Sequence, residues 1–118
     1  MIFVCYSKCS TCNKAKKYLD SKKINYTYRE IKQDKLSYDE LKKVAKLSQL
    51  PINKLFNTSG NVYKQNNLKD KLKDMTEEEK LNLLASEAML VKRPVLIADD
   101  FALVGFNEDL WNQKLEGK

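Results

Sequence analysis

Histidine is missing from this 118-residue chain, and cysteine occurs only three times. A structural zinc ion normally takes four ligands drawn mostly from these two residue types. A set of four cysteines and histidines therefore cannot be assembled within one chain; a zinc site would have to borrow carboxylates or a second chain. Three cysteines are also too few, and odd in number, for a disulfide-built scaffold. Only three glycines and two prolines interrupt a sequence that is 42% hydrophobic, which fits an ordered globular protein and excludes a disordered one. At this length the chain is expected to be a single domain over residues 1–118 with one core of its own. No apolar stretch approaches the roughly 20 residues that span a membrane. Ile2 to Tyr6 is too short for the apolar part of a secretory signal, and polar Ser7-Lys8 follows at once. The expectation is a cytoplasmic protein away from membranes, where thiols are kept reduced and a disulfide would be transient and functional.

Arginine is scarce too, at Arg29 and Arg93 alone. Net charge is +6, from 22 basic and 16 acidic residues, and the excess is carried by lysines spread along the chain. Solvated helix faces account for it, with an acidic partner or an anionic substrate as the sharper alternative. With so few arginines and no recognisable binding motif, direct nucleic-acid binding is not expected.

Against these shortages stands Cys9-Ser10-Thr11-Cys12, directly after the apolar run Ile2-Phe3-Val4-Cys5-Tyr6 and before a helix-like stretch, Lys14 to Lys23. Two thiols separated by two residues can close a small disulfide ring. A cysteine placed where a strand gives way to a helix faces the helix's unpaired N–H groups and its positive dipole end. Such surroundings favour the reactive thiolate over the thiol. The alternatives are half of a zinc site and chance proximity, but the strand-before, helix-after context is what redox chemistry requires.

Along the chain, Ile2–Tyr6 is apolar on both faces, as in a central strand covered by helices on each side. Cys12, Ala15 and Leu19, with Tyr18 beside them, make the apolar stripe of an amphipathic helix. Ile24 to Ile31 alternates and reads as a second strand, parallel to the first in a βαβ unit. Ser37 with Glu40, and Thr76 with Glu79, are capping boxes that open two helices. Between them, short helices are expected after Pro51, stopping at Asn57–Gly60, and over Asn66–Lys73; the whole middle reads as helical and strand-free. Val95–Ala98 and Phe101–Val104 flank Asp99-Asp100 as a hairpin, and Asn107 caps a last helix.

The order β-α-β, several helices, β-β-α, with CxxC opening the first helix, resembles the thioredoxin fold carrying a helical insertion over about residues 37–88. The expected fold is thus α/β, with a mixed four-stranded sheet and the helices between its βαβ and ββα halves. Tyr6 to Ala15, Val91-Lys92-Arg93-Pro94-Val95 and Leu103 to Glu108 resemble the ArsC/Spx family, the arsenate reductase-like and Spx-like relatives of thioredoxin. Asn57 to Lys64 is similar to the middle segment of its ArsC-like branch.

Beside this resemblance, Cys9 reads as the nucleophile. Cys12 reads as the resolving thiol that attacks a mixed disulfide on Cys9, the alternative being a small buried helix residue. Cys5, within the strand, reads as core packing. The resemblance implies that the Arg93–Pro94 bond is cis and that Arg93 lies beside Cys9 as a fixed positive charge. Pro94, Lys8 and Thr11 are candidates for positioning substrate. Arsenate reductases of this kind use one cysteine and three arginines; here two of the arginine positions align with Asn57 and Phe106. Lys8, Lys64 or Lys92 offers charge but no guanidinium fork.

The leading expectation is a monomeric thiol–disulfide oxidoreductase with no metal or bound cofactor. A low-molecular-weight thiol, or a thioredoxin- or glutaredoxin-type donor, would supply its electrons. An Spx-like redox-sensing regulator that binds RNA polymerase is the rival, and an arsenate reductase proper the third reading.

Overall fold

A computed structural model describes residues 1–116. The first strand, β1 (Ile2–Cys5), lies inside the sheet and splits the core in two. Successive strand residues point to opposite faces. Val4 accordingly joins one apolar cluster while Phe3 and Cys5 join the other. All three are essentially without solvent contact, so β1 is apolar throughout instead of alternating.

The first cluster is filled by α2 (Tyr38–Ser48), α4 (Leu68–Lys71) and α5 (Glu77–Ser86). The second is filled by α1 (Ser10–Ser21) and α6 (Glu108–Leu115), which bury Ala15, Leu19 and Trp111 against Phe3. Strand β2 (Thr27–Glu30) runs parallel to β1, with Ile2 opposite Thr27. Strands β3 (Val95–Ile97) and β4 (Ala102–Val104) follow antiparallel, giving the order β2-β1-β3-β4. Phe3, Leu96 and Leu103 stand in register across three strands and form the floor under Trp111. This is the mixed four-stranded thioredoxin-like sheet expected from the sequence, with the helices between its halves.

Several boundaries differ from expectation for physical reasons. Helix α1 begins at Ser10, so Cys9 is its N-cap and Cys12 belongs to its first turn. The second strand covers Thr27–Glu30 and not 24–31. Lys23 turns to a positive φ of 57°, and the Ile24 N–H donates to the Leu19 carbonyl at 3.1 Å, so Ile24 is used to end α1. The helix expected over Asn66–Lys73 is divided: α3 (Asn61–Gln65) precedes it, Asn67 adopts the left-handed region, and a 3-10 turn Leu72–Asp74 follows α4. Asparagine tolerates that backbone better than most residues. Among the described residues the middle holds no strand, as expected, but one isolated bridge ties it to the chain before β3. After the 3-10 turn Ile52–Leu55, Phe56 forms an antiparallel bridge with Val91, flanked by Asn57 N–H to Leu90 O and Lys92 N–H to Leu55 O, both 2.7 Å.

Both capping boxes are formed, at Ser37–Glu40 and Thr76–Glu79. Glu40 has a second task. The guanidinium of Arg29 on β2 donates to both its carboxylate oxygens and to the carbonyls of Asp34 and Lys35. One of the two arginines is thereby committed to tying β2 to the start of α2. The same pairing holds the Glu40 carboxyl down at about 2, below its ordinary 4.5. A carboxylate depressed on folding stabilises the protein above its unfolded value and loses that contribution as pH falls towards the folded one. Glu40→Gln should therefore lower stability at pH 7 by about 1 kcal/mol, the partly exposed setting limiting the effect. In urea unfolding, the gap from the parent protein should close as pH falls from 4.5 towards 2.

Candidate redox site

The chain leaves β1 at Cys5 and turns back at once: the Cys9 N–H donates to the Tyr6 carbonyl at 2.9 Å. Ser7 is held by its N–H, which donates to the Glu30 carboxylate at 3.0 and 3.2 Å. Cys9 is the N-cap of α1, with extended φ −94° and ψ 123°. Its carbonyl accepts the Asn13 N–H at 3.1 Å, but no side chain caps the helix and no acid stands in its first turn. Cys9 is half-buried, whereas Cys12, three residues on, is 2% exposed.

The Cys12 sulfur accepts the Tyr6 N–H at 3.5 Å. It lies in the same buried apolar cluster as Cys5, with Cys9 packed against that cluster. The Cys5 contact above all, with Tyr6 N–H, Cys9 and the charge of Arg93 adding to it, brings the Cys12 thiol to about 7 from 9.0, against the opposing effect of burial. The nearness of Cys12, with burial adding to it, pushes the Cys5 thiol up. Cys5 is thus buried as expected of a core residue, and it also engages Cys12. Strand periodicity points Cys5 towards the α1 side of the sheet, and helix periodicity points Cys12 back at it; the two patterns read together carry the signal.

Cys9 opens onto a cleft of about 500 Å3. Thr11 from α1, Asn57 and Ser59 from the middle segment, Lys92 and Arg93 before β3, and Phe106 beyond β4 surround it. The Arg93–Pro94 bond is cis. Arg93 rests its guanidinium over the Tyr6 ring, 5.5 Å from the centroid, with Nη1 3.8 Å from the Met89 sulfur. Its Nε is buried with no hydrogen-bond partner among the described residues. Pro94 is buried and its carbonyl accepts the Gly105 N–H at 2.7 Å. Lys8, in contrast, is exposed and does not line the cleft, and Lys64 lines a separate surface hollow. Lys92 is the lysine that does reach it. Asn57 and Phe106 stand on the cleft wall, but Phe106 is locked edge-on against Trp111 and Tyr18, at 5.0 and 5.6 Å. Among the described residues, no group of three or more His, Cys, Asp or Glu side chains is arranged to hold a metal.

A CxxC at the strand–helix junction, beside a cis-proline loop on a mixed four-stranded sheet, defines a thioredoxin-like protein. The ArsC family model matches residues 5–113, and the chain belongs to the ArsC family. YusI of Bacillus subtilis (strain 168) is 44% identical over 115 residues, covering 96% of both chains. The crystal structure of an ArsC family related protein from Bacteroides fragilis superposes with a TM-score of 0.92 at 49% identity, covering 95% of this chain and 94% of that one. The global transcriptional regulator Spx of Staphylococcus epidermidis is 28% identical over 101 residues, 86% of this chain and 76% of that protein.

Gly105 supports the cleft through its backbone. It sits at φ +76°, and a Cβ there would stand 2.9 Å from Lys92 Cε. Its carbonyl accepts the buried Trp111 Nε1–H at 3.1 Å. Gly105→Ala should cost about 1–3 kcal/mol through left-handed strain and displace Lys92. Urea unfolding should register that loss.

Proposed function

We propose that this chain is a thiol–disulfide oxidoreductase cycling Cys9 and Cys12 between dithiol and disulfide. The observation that carries the reading is a cleft-facing Cys9 capping α1, with Cys12 buried three residues on in the first turn and its thiol drawn down by its surroundings. The Cys9 thiolate attacks one sulfur of a substrate disulfide, forms a mixed disulfide and releases the first substrate thiolate. The Cys12 thiolate then attacks the Cys9 sulfur, closes the Cys9–Cys12 disulfide and releases the second. The substrate gains the two electrons that the dithiol loses, and both leaving thiolates take protons from solvent. A low-molecular-weight thiol, or a thioredoxin- or glutaredoxin-type protein, returns two electrons and restores the dithiol. No metal or bound cofactor enters the cycle. Thr11 lines the cleft with Cys9, Pro94 fixes the turn that carries Arg93 into it, and Arg93 supplies a fixed positive charge.

Arsenate is a poor fit to this cleft. Arg93 is its sole guanidinium, and charge-assisted hydrogen bonds contribute about 1.5–3 kcal/mol each. Losing two such partners weakens a bound oxyanion by a factor of roughly a hundred or more. The likeness to Spx supports a second reading, a regulator that binds RNA polymerase and uses the same CxxC as a redox switch.

Reduction of a small aliphatic disulfide should be measurable, abolished by Cys9→Ser, and accompanied by little arsenate turnover. Cys12→Ser should trap the mixed disulfide on Cys9, visible by mass spectrometry. Because the anion of Cys12 is the attacking form, the resolving rate should rise with pH through about 7 and then level off. Robust arsenate reduction would overturn the arginine argument. Absent disulfide turnover together with capture of RNA polymerase would move the protein to the regulator class.

A further inference from the structure

Tyr6 ends the first apolar run, and three of its parts reach three working groups of the site. Its carbonyl accepts the Cys9 N–H at 2.9 Å, and its N–H donates to the Cys12 sulfur at 3.5 Å. Its ring carries the Arg93 guanidinium, 5.5 Å from the centroid. We propose that Tyr6 is the positioning residue for Arg93: its ring is the platform that holds the guanidinium in the cleft that Cys9 faces. Held there, the charge makes the cleft favour disulfides that carry a carboxylate.

The two arginines are held in opposite ways. Arg29 spends its donors on the Glu40 carboxylate and on the carbonyls of Asp34 and Lys35, and the carboxylate offsets its charge. Arg93 makes no ion pair among the described residues. Its Nη1 meets the Met89 sulfur at 3.8 Å, and its Nε is buried with no hydrogen-bond partner among them. An aromatic face attracts a cation through its quadrupole. Stacking on it orients the guanidinium plane while the charge stays uncancelled and the N–H fork unspent. The cleft wall does not oppose an anion: Thr11, Asn57, Ser59, Lys92 and Asn107 line it, and no acidic side chain does among the described residues. The turn keeps the platform in register with the nucleophile. The Cys9 N–H bond ties the Tyr6 backbone to the helix cap, and the Ser7 N–H, donating to the Glu30 carboxylate at 3.0 and 3.2 Å, anchors the turn to β2. Lys32 is the other cation at this ring, 5.9 Å from the centroid, and it does not line the cleft.

The preference for acidic disulfides rests on Cys9 being the attacking thiol, but alkylation tests the platform without turnover. In Cys12→Ser protein, Cys9 is the cysteine that faces the cleft, since Cys5 is 1% exposed. Iodoacetate and iodoacetamide attack the same thiolate and differ by one negative charge. Their rate ratio cancels the thiolate fraction and reports the charge met at the sulfur. Arg93→Ala should lower that ratio about five- to tenfold at low salt. Tyr6→Leu should lower it by a similar factor, whereas Tyr6→Phe keeps the ring and should stay within about twofold of the parent. A purely structural Tyr6 would slow both reagents and leave the ratio still. Fluorinated phenylalanines at position 6 keep the shape of the ring while draining its face, so the ratio should fall with each added fluorine. An unchanged ratio in Arg93→Ala or Tyr6→Leu, an equal fall in Tyr6→Phe, or a flat fluorinated series would overturn the proposal. If the ratio shifts as expected while the unaltered chain turns over no disulfide, the oxidoreductase reading fails and the Tyr6 platform stands. If turnover is present and the ratio stays flat, the platform alone fails.

Discussion

A thiol stands where a helix ordinarily wants an oxygen. N-caps are normally Ser, Thr, Asp or Asn, and losing one costs on the order of 1 kcal/mol. This chain follows that rule at three other helices, where Ser37, Thr76 and Asn107 each accept the expected backbone hydrogen bond. At α1 it places Cys9 and makes no side-chain cap. The first-turn N–H groups are left without a side-chain cap, with Cys9 at the positive end of the helix dipole. The rest of the site follows from that junction. With Cys9 as the cap, Cys12 falls on the third helical residue, and the helix rotation turns it inward under the end of β1.

The sheet serves the junction from both sides. Phe3, Cys5 and Leu96 give α1 and α6 an apolar floor, while Val4 and Val95 face the helices of the middle segment. That middle segment then returns to the site. The Phe56–Val91 bridge, with its two 2.7 Å flanking bonds, sets Asn57 beside Lys92 and Arg93 on the cleft wall. Gly105 lines the cleft next to them, joined to Pro94 by its N–H and to Trp111 by its carbonyl. A cleft assembled from four separated stretches of chain is held by backbone hydrogen bonds more than by side-chain pairs.

Features governed by short-range chemistry could be read from the sequence. The capping boxes, the Asn107 cap, the Asp99-Asp100 reversal and the CxxC at a strand–helix boundary each depend on residues a few places apart. Features that depend on distant partners could not. Nothing near Phe56 announces its pairing with Val91, and nothing near Arg29 shows that Glu40 will claim its guanidinium. The second strand looked longer because Ile24 fits the alternation, whereas the helix before it consumes that residue in its own termination. Lys8 lies beside Cys9 in sequence but turns to solvent, while Lys92 reaches the cleft because Gly105 leaves it room. Cys5 is the instructive case. Its burial followed from the strand pattern, but its place in one cluster with Cys12 needed the docking of α1 on β1.

The central claim is that Cys9 and Cys12 are the redox pair and the buried Cys5 stays a thiol. Peptide mapping by mass spectrometry after mild oxidation tests it directly, because trypsin cuts after Lys8 and Lys14 and separates Cys5 from the other two. The account predicts that the Cys9–Lys14 peptide loses its two thiol hydrogens to an internal disulfide, while Cys5 is recovered free and alkylated. A dominant product in which the Cys5 peptide is linked to the Cys9–Lys14 peptide would contradict it.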